Sequence, residues 1–189
     1  MPTTLPAGLL AAPLRATIYE LRLPPDRLAG LDARKLESAG PGELQKSLET
    51  LGTVKVLYRV DQSVKLSGDR VTISSSVPFV TNTRLTEGGR EIRTVQYRSV
   101  GAVFNFRGQP QSDGRLRVGL GIELSTMGES GVSIATSMPA MLIRSATLAY
   151  SGSVPPDRPF VLVSADADAR DANGQAVAHI AQVVVGPAQ

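Results

Sequence analysis

The stretch that most constrains this chain is residues 115–125, RLRVGLGIELS. Leu116, Val118, Leu120, Ile122 and Leu124 fall on one parity, and Arg115, Arg117, Gly119, Gly121, Glu123 and Ser125 on the other. A period of two places every apolar side chain on one face of a β-strand, whereas a helix would scatter them around its axis. Full burial of five such side chains at about 2 kcal/mol each is worth on the order of 10 kcal/mol, so that face must be covered. Alternation does not say by what, since a protein core and a lipid layer both satisfy it.

The same period recurs along most of the sequence. RATIYELRL, from Arg15, reads as a first strand stopped by Pro24 and Pro25. A polar, turn-rich connection, DRLAGLDARKLESAGPG, follows. GELQKSLETLG then sets Leu44, Leu48 and Leu51 on one helical face, with Pro41 before it and Gly52 after it, which predicts a short amphipathic helix. Beyond Gly52 the chain reads as strand and turn. Turns are expected at Ser67-Gly68-Asp69, around Glu87-Gly88-Gly89, in QPQSDG and at Asn173-Gly174, and TMGESGVSIATSMP reads as a loop of small residues. One helix and about nine strands in succession predict a mainly β (α+β) antiparallel fold. Residues 1–14 are expected to be a flexible segment, and 15–189 one β domain.

Composition removes several function classes. There is no cysteine and a single histidine, His179, so thiol catalysis, zinc-thiolate sites and a multi-histidine metal site within one chain are excluded. No apolar run is long enough for a membrane-spanning helix. MPTTLPAGLLAAPLRA lacks a basic start and is interrupted by Pro6 and Pro13, so it is not read as a signal peptide. Arginines concentrate in residues 79–117, with seven against three acids for a net +4, while residues 118–189 carry three against six for a net −3. Without interleaved aromatics these arginines read as a solvated face, and no nucleic-acid partner is expected.

No catalytic constellation emerges. His179 lies inside an apolar strand, no Gly-flanked serine matches a nucleophile elbow, and GLGIELS lies within a strand where a dinucleotide fingerprint must open a helix. Asp166, Asp168, Asp171 and Asn173 crowd oxygen ligands that would suit calcium, but their spacing misses the standard loop and no bidentate glutamate follows. An acidic hairpin tip is the plainer reading. The chain is therefore expected to be no enzyme, with no cofactor, metal or small-molecule substrate.

The order of the strand motifs, over roughly residues 16–187, resembles the secretin module of bacterial type II and type III secretion and type IV pilus outer-membrane channels. LQKSLETLGTVKVLYRV is similar to the helix and strand that open the module, VTISSSVPFVTN to the strand ending in a Val-Pro step, and TVQYRSVGAVFNF, with Val100-Gly101, to the segment after it. DGRLRVGLGIELST, IRSATLAYSGSVPPDRPFVLVS and AHIAQVVVGP, ending in Pro187, resemble the later strands in the family's order. The chain departs from that pattern at Val60, where the family has proline, at SGDRV in place of an Asn-x-x-Ala turn, at the serines before the Val-Pro step, and at VLVSAD, which lacks a double glycine. The resemblance covers the module and not the small ring-forming domains that precede it in full-length secretins, so a bare module or a divergent relative is expected.

The resemblance implies a function. In secretins each subunit donates strands to a giant closed barrel, and hairpins folded into its lumen form a gate. By position the gate hairpin corresponds to Phe79, Asn82, Arg84, Gly88, Gly89, Arg90 and Arg93, the wall strand to Leu116, Val118, Leu120, Ile122 and Leu124, and the lip to Ser125–Met138. The implied partners are further copies of the chain in a ring, the outer membrane and secreted cargo, and the implied location is the cell envelope, in the outer membrane or periplasm. The alternative is a soluble β-sandwich binding or structural module with the same strand order and no channel, a reading that the scarcity of aromatics supports.

Overall fold

A computed structural model describes residues 10–37, 40–88, 90–135 and 138–189. Two antiparallel four-stranded sheets account for most of them. The first has the order β2-β1-β8-β7, from β1 (Ala11–Leu23), β2 (Thr53–Lys65), β7 (Pro159–Arg170) and β8 (Ala176–Val185). The second has the order β3-β4-β5-β6, from β3 (Asp69–Leu85), β4 (Glu91–Pro110), β5 (Leu116–Ala135) and β6 (Met138–Val154). Each connection within the second sheet is a hairpin, so its strand order is its chain order.

The sheets pack face to face over a core that takes its side chains from both. Leu14, Ala16 and Ile18 of β1 and Ala181 and Val183 of β8 meet Phe104 and Phe106 of β4 and the even-numbered residues of β5. The other face of the first sheet is covered by the helical segment. A 3-10 turn (Pro25–Gly30), α1 (Ala33–Glu37) and α2 (Pro41–Leu51) connect β1 to β2, and Leu36, Leu44 and Leu48 are buried against Tyr19, Leu21, Leu23, Ala178 and Ile180. β8 is therefore covered on both faces, which explains its near-continuous apolar sequence, VAHIAQVVV. Two expectations change here. The connection read as turn-rich contains the 3-10 turn and α1, because Leu28, Leu31 and Leu36 reach the sheet. The segment read as a loop from Thr126 runs on as strand to Ala135, because its small residues pair with β6 from Thr126↔Arg144 to Ala135↔Met138.

The second sheet is four-stranded only near its base. β3 and β4 pair from Asp69↔Phe106 up to Leu85↔Glu91, but β4 and β5 pair only between Gly101↔Ser125 and Pro110↔Leu116. Above that row the sheet forks into two ribbons, β3–β4 and β5–β6. Gly101 stands at the fork. A Cβ there would lie 1.9 Å from the Ile73 carbonyl oxygen and 2.8 Å from Ser74 Cα, so only glycine admits this approach of β3 to β4. At the opposite end β1 is tied to the residues that follow β8: Ala11 and Gln189 exchange backbone hydrogen bonds of 3.1 and 2.8 Å, and the Gly186 N–H donates to the Pro13 carbonyl at 2.8 Å.

Candidate functional site

The apolar face of the strand that the resemblance assigns to a wall meets protein. Leu116, Val118, Leu120, Ile122 and Leu124 are between 0 and 3% exposed, all within the core shared with the first sheet. Their neighbours Arg115, Arg117 and Glu123 point outward and are exposed, which answers the question the alternation left open.

The residues that the resemblance assigns to a gate hairpin lie along one ribbon, β3–β4. Phe79 pairs with Gln96, Asn82 with Thr94, Arg84 with Ile92 and Arg93 with Thr83. Arg84, Arg90 and Arg93 are exposed, Gly88 has open space around it, and Gly89 lies outside the described residues. The tip is closed by Thr86, whose backbone N–H donates to the Arg90 carbonyl at 2.9 Å while its hydroxyl accepts the Arg90 N–H at 3.1 Å. The exposed large apolar side chains of the described residues all lie beyond the fork: Ile92, Val95 and Tyr97, the last 71% exposed, on the first ribbon, and Ile143 on the second. Of the segment assigned to a lip, residues 136–137 lie outside the described residues.

Where the ribbons leave the sandwich, the core changes from apolar to polar. Glu20 and His179 pair across β1 and β8, with Ser164 of β7 opposite His179. Glu20 and His179 are each 6% exposed, and Thr126 of β5 is 7% exposed. The Glu20 carboxylate accepts a hydrogen bond from Arg22 Nε at 2.9 Å, and Arg22 Nη2 lies at ion-pair distance, 2.8 Å, from the same oxygen, so the buried charge is compensated. Burial pushes the His179 imidazole below its ordinary value; the Glu20 carboxylate opposes this, and Arg144 adds to the downward push. His179 Nε2 is buried without a hydrogen-bond partner.

Of the residues weighed as calcium ligands, Asp171 is committed to the β7–β8 turn. Its Oδ1 accepts the N–H groups of Asn173 at 2.8 Å and Gln175 at 2.9 Å, with Gly174 at φ +76° between them. Its Oδ2 lies 3.8 Å from Arg22 Nη1, an ion-pair distance beyond hydrogen-bond reach. Asp166 is exposed, and the Asp168 side chain lies outside the description. Among the described residues no three His, Asp or Glu side chains gather closely enough to hold a metal ion. The polar layer, absent from the sequence-predicted sites, leaves a signal of its own: Glu20 in ATIYELRL and His179 in AVAHIAQ are polar residues at the parity that faces the other sheet.

Comparison with known proteins gives the following. No protein-family profile matches the chain, and no curated protein matches it. Solved structures similar to it include the InvG secretin-domain β-barrel of the Salmonella SPI-1 injectisome, at 10% identity and TM-score 0.35, covering 93% of this chain and 57% of that one. PulD, in the Klebsiella pneumoniae type II secretion outer-membrane complex with PulS and the PulC HR domain, gives 12% identity and TM-score 0.39, covering 94% and 39%. The type II secretin GspD of enteropathogenic Escherichia coli gives 11% and 0.34, covering 93% and 66%. The chain thus spans between 39 and 66% of the length of these solved chains. Its fold is mainly antiparallel β with few helices, no barrel closes among the described residues of one copy, and the solved structures to which it is similar are secretin domains of type II and type III secretion systems.

Proposed function

We propose that this chain is a non-catalytic, secretin-like subunit that completes its second sheet by joining further copies around an axis, forming a ring or channel in the cell envelope for secreted protein or pilus passage. The observation that carries the reading is the pair of long open edges of the second sheet. β3 and β6 are each 17 residues long, and among the described residues each has a neighbour on one side only. Strands this long offer a template for another chain unless they are paired, and a closed barrel removes the edge altogether. Pro78 lies within β3, and a proline there has no N–H to give to a further strand, so the joint is expected below it, along Asp69–Val77 against the lower half of β6 of the next copy. In this arrangement the β3–β4 ribbon, with Arg84, Gly88, Gly89, Arg90 and Arg93 towards its tip, is the gate, and Leu116–Leu124 pins the wall to the inner sheet.

The lack of native cysteine gives a clean test. Thr72→Cys on β3 is combined in turn with Ser145→Cys, Thr147→Cys or Ala149→Cys on β6. In at least one combination a ladder of disulfide-linked multimers is expected on non-reducing gels, together with rings in electron micrographs. A monodisperse monomer in both detergent and lipid, with no ladder in any combination, defeats the proposal. One observation favours the second reading, a soluble sandwich: the apolar faces of the base are already covered by the chain's own layers.

A further inference from the structure

We infer that the outer face of the second sheet, at its base, is a docking surface for an extended acidic polypeptide segment. The face carries a diagonal of arginines across three strands: Arg70 on β3 pairs with Asn105, Arg107 on β4 pairs with Gly119, and Arg117 and Arg115 lie on β5. All four are exposed, and among the described residues no carboxylate lies within ion-pair distance of Arg70, Arg107 or Arg117. The nearby acids are engaged elsewhere. Asp69 accepts the N–H groups of Lys65 and Arg70, Asp113 accepts that of Arg115, and Glu123 sits 3.5 Å from Asn105 Nδ2. Like charges at diagonal cross-strand positions repel, and an added anion relieves that repulsion.

Beside the arginines the sheet has a floor without side chains. Gly119 and Gly121 occupy successive outward positions on β5, each with open space above it. A depression of about 400 Å³ lies there between Arg107, Arg117 and Ser151. An extended guest lying along β5 has room for its backbone over the glycines. Its alternate side chains recur roughly every 7 Å, the same interval that separates Arg115 from Arg117. A lipid surface fits less well, because among the described residues the exposed large apolar side chains lie beyond the fork and none flanks these arginines to receive acyl chains.

The test uses the full chain and a fluorescent peptide of about ten residues in which Glu and Ser alternate. Binding by anisotropy is expected, and it should weaken at least roughly tenfold in the Arg107→Ser, Arg117→Ser double variant, as several exposed ion pairs are lost together. It should also collapse between about 50 and about 300 mM salt. Arg34→Ser, on α1 away from this face, should bind as the parent does. The inference is overturned if the peptide fails to bind, if the double variant binds it equally well, or if phosphatidylglycerol vesicles and not the peptide are held through Arg107 and Arg117. Ring formation has no part in this measurement, so its outcome is independent of the proposed channel.

Discussion

Replacing Gly101 by alanine tests the fork directly. The new Cβ would lie 1.9 Å from the Ile73 carbonyl oxygen and 2.9 Å from its carbon, both backbone atoms that no rotamer change can move aside. An ordinary contact needs a further ångström or more, so β3 and β4 must part at this row. They cannot part freely, because Val71 and Phe104 on either side are seated in the core. Overpacking at such a site costs about 1–3 kcal/mol, and losing two ladder hydrogen bonds adds about 1 kcal/mol each, for a sum of about 3–5 kcal/mol. That is a large part of an ordinary domain's stability of about 5–15 kcal/mol. The control is Gly119→Ala, where a Cβ meets nothing within 4 Å and the expected change is within about 0.5 kcal/mol. Urea unfolding followed by circular dichroism, run on both variants, measures the difference. Equal midpoints for Gly101→Ala and the parent would show that the close approach at the fork does not constrain the sheet.

Other perturbations have equally definite outcomes. Because burial lowers the His179 pKa in the folded state, the unfolded chain takes up the proton first as pH falls. Stability should therefore be full above the unfolded value of about 6.5 and decline as pH drops below it towards the folded value. Denaturation midpoints at successive pH values should show that decline in the parent and a smaller one in His179→Gln. Asp171→Ala removes the acceptor of two turn hydrogen bonds and should cost about 2 kcal/mol in thermal or chemical unfolding, while Asp171→Asn, which keeps one oxygen, should cost less. Leu120→Ala, in the filled core between the sheets, should cost about 2–5 kcal/mol by the same measurement. Tyr97→Ser on the exposed face of the β3–β4 ribbon should leave the midpoint within about 0.5 kcal/mol of the parent.

Which parts of this architecture were legible in the sequence follows from how local their causes are. The strand through Leu116–Leu124 and α2 were readable because a single periodicity, two for Leu116–Leu124 and near four for Leu44 and Leu48, reports burial on one face. The extension of β5 to Ala135 was not readable, because MGESGVSIA has no clear alternation and its strand state comes from pairing with β6. The helical turns in DRLAGLDARKLE were obscured by the surrounding charges; Leu28, Leu31 and Leu36 gain their meaning only once β7 and β8 lie beneath them. The arginine excess was visible in the sequence, but its arrangement as a diagonal beside Gly119 and Gly121 depends on the β3–β4 and β4–β5 registers, which no short window contains. The fork left only a glycine among valines at 100–103, a mark shared by many ordinary bends.

The knot of backbone bonds joining Ala11 to Gln189 has a practical corollary. It lies beside Leu10, Leu66 and Gly108, which are linked by the Leu66 N–H to the Leu10 carbonyl and the Gly108 N–H to the Leu66 carbonyl, at the end of the sandwich farthest from where the ribbons separate. A fluorophore or affinity handle attached through the exposed Gln189 side chain therefore emerges at that pole, leaving the two projecting ribbons at the other pole unencumbered for whatever they touch.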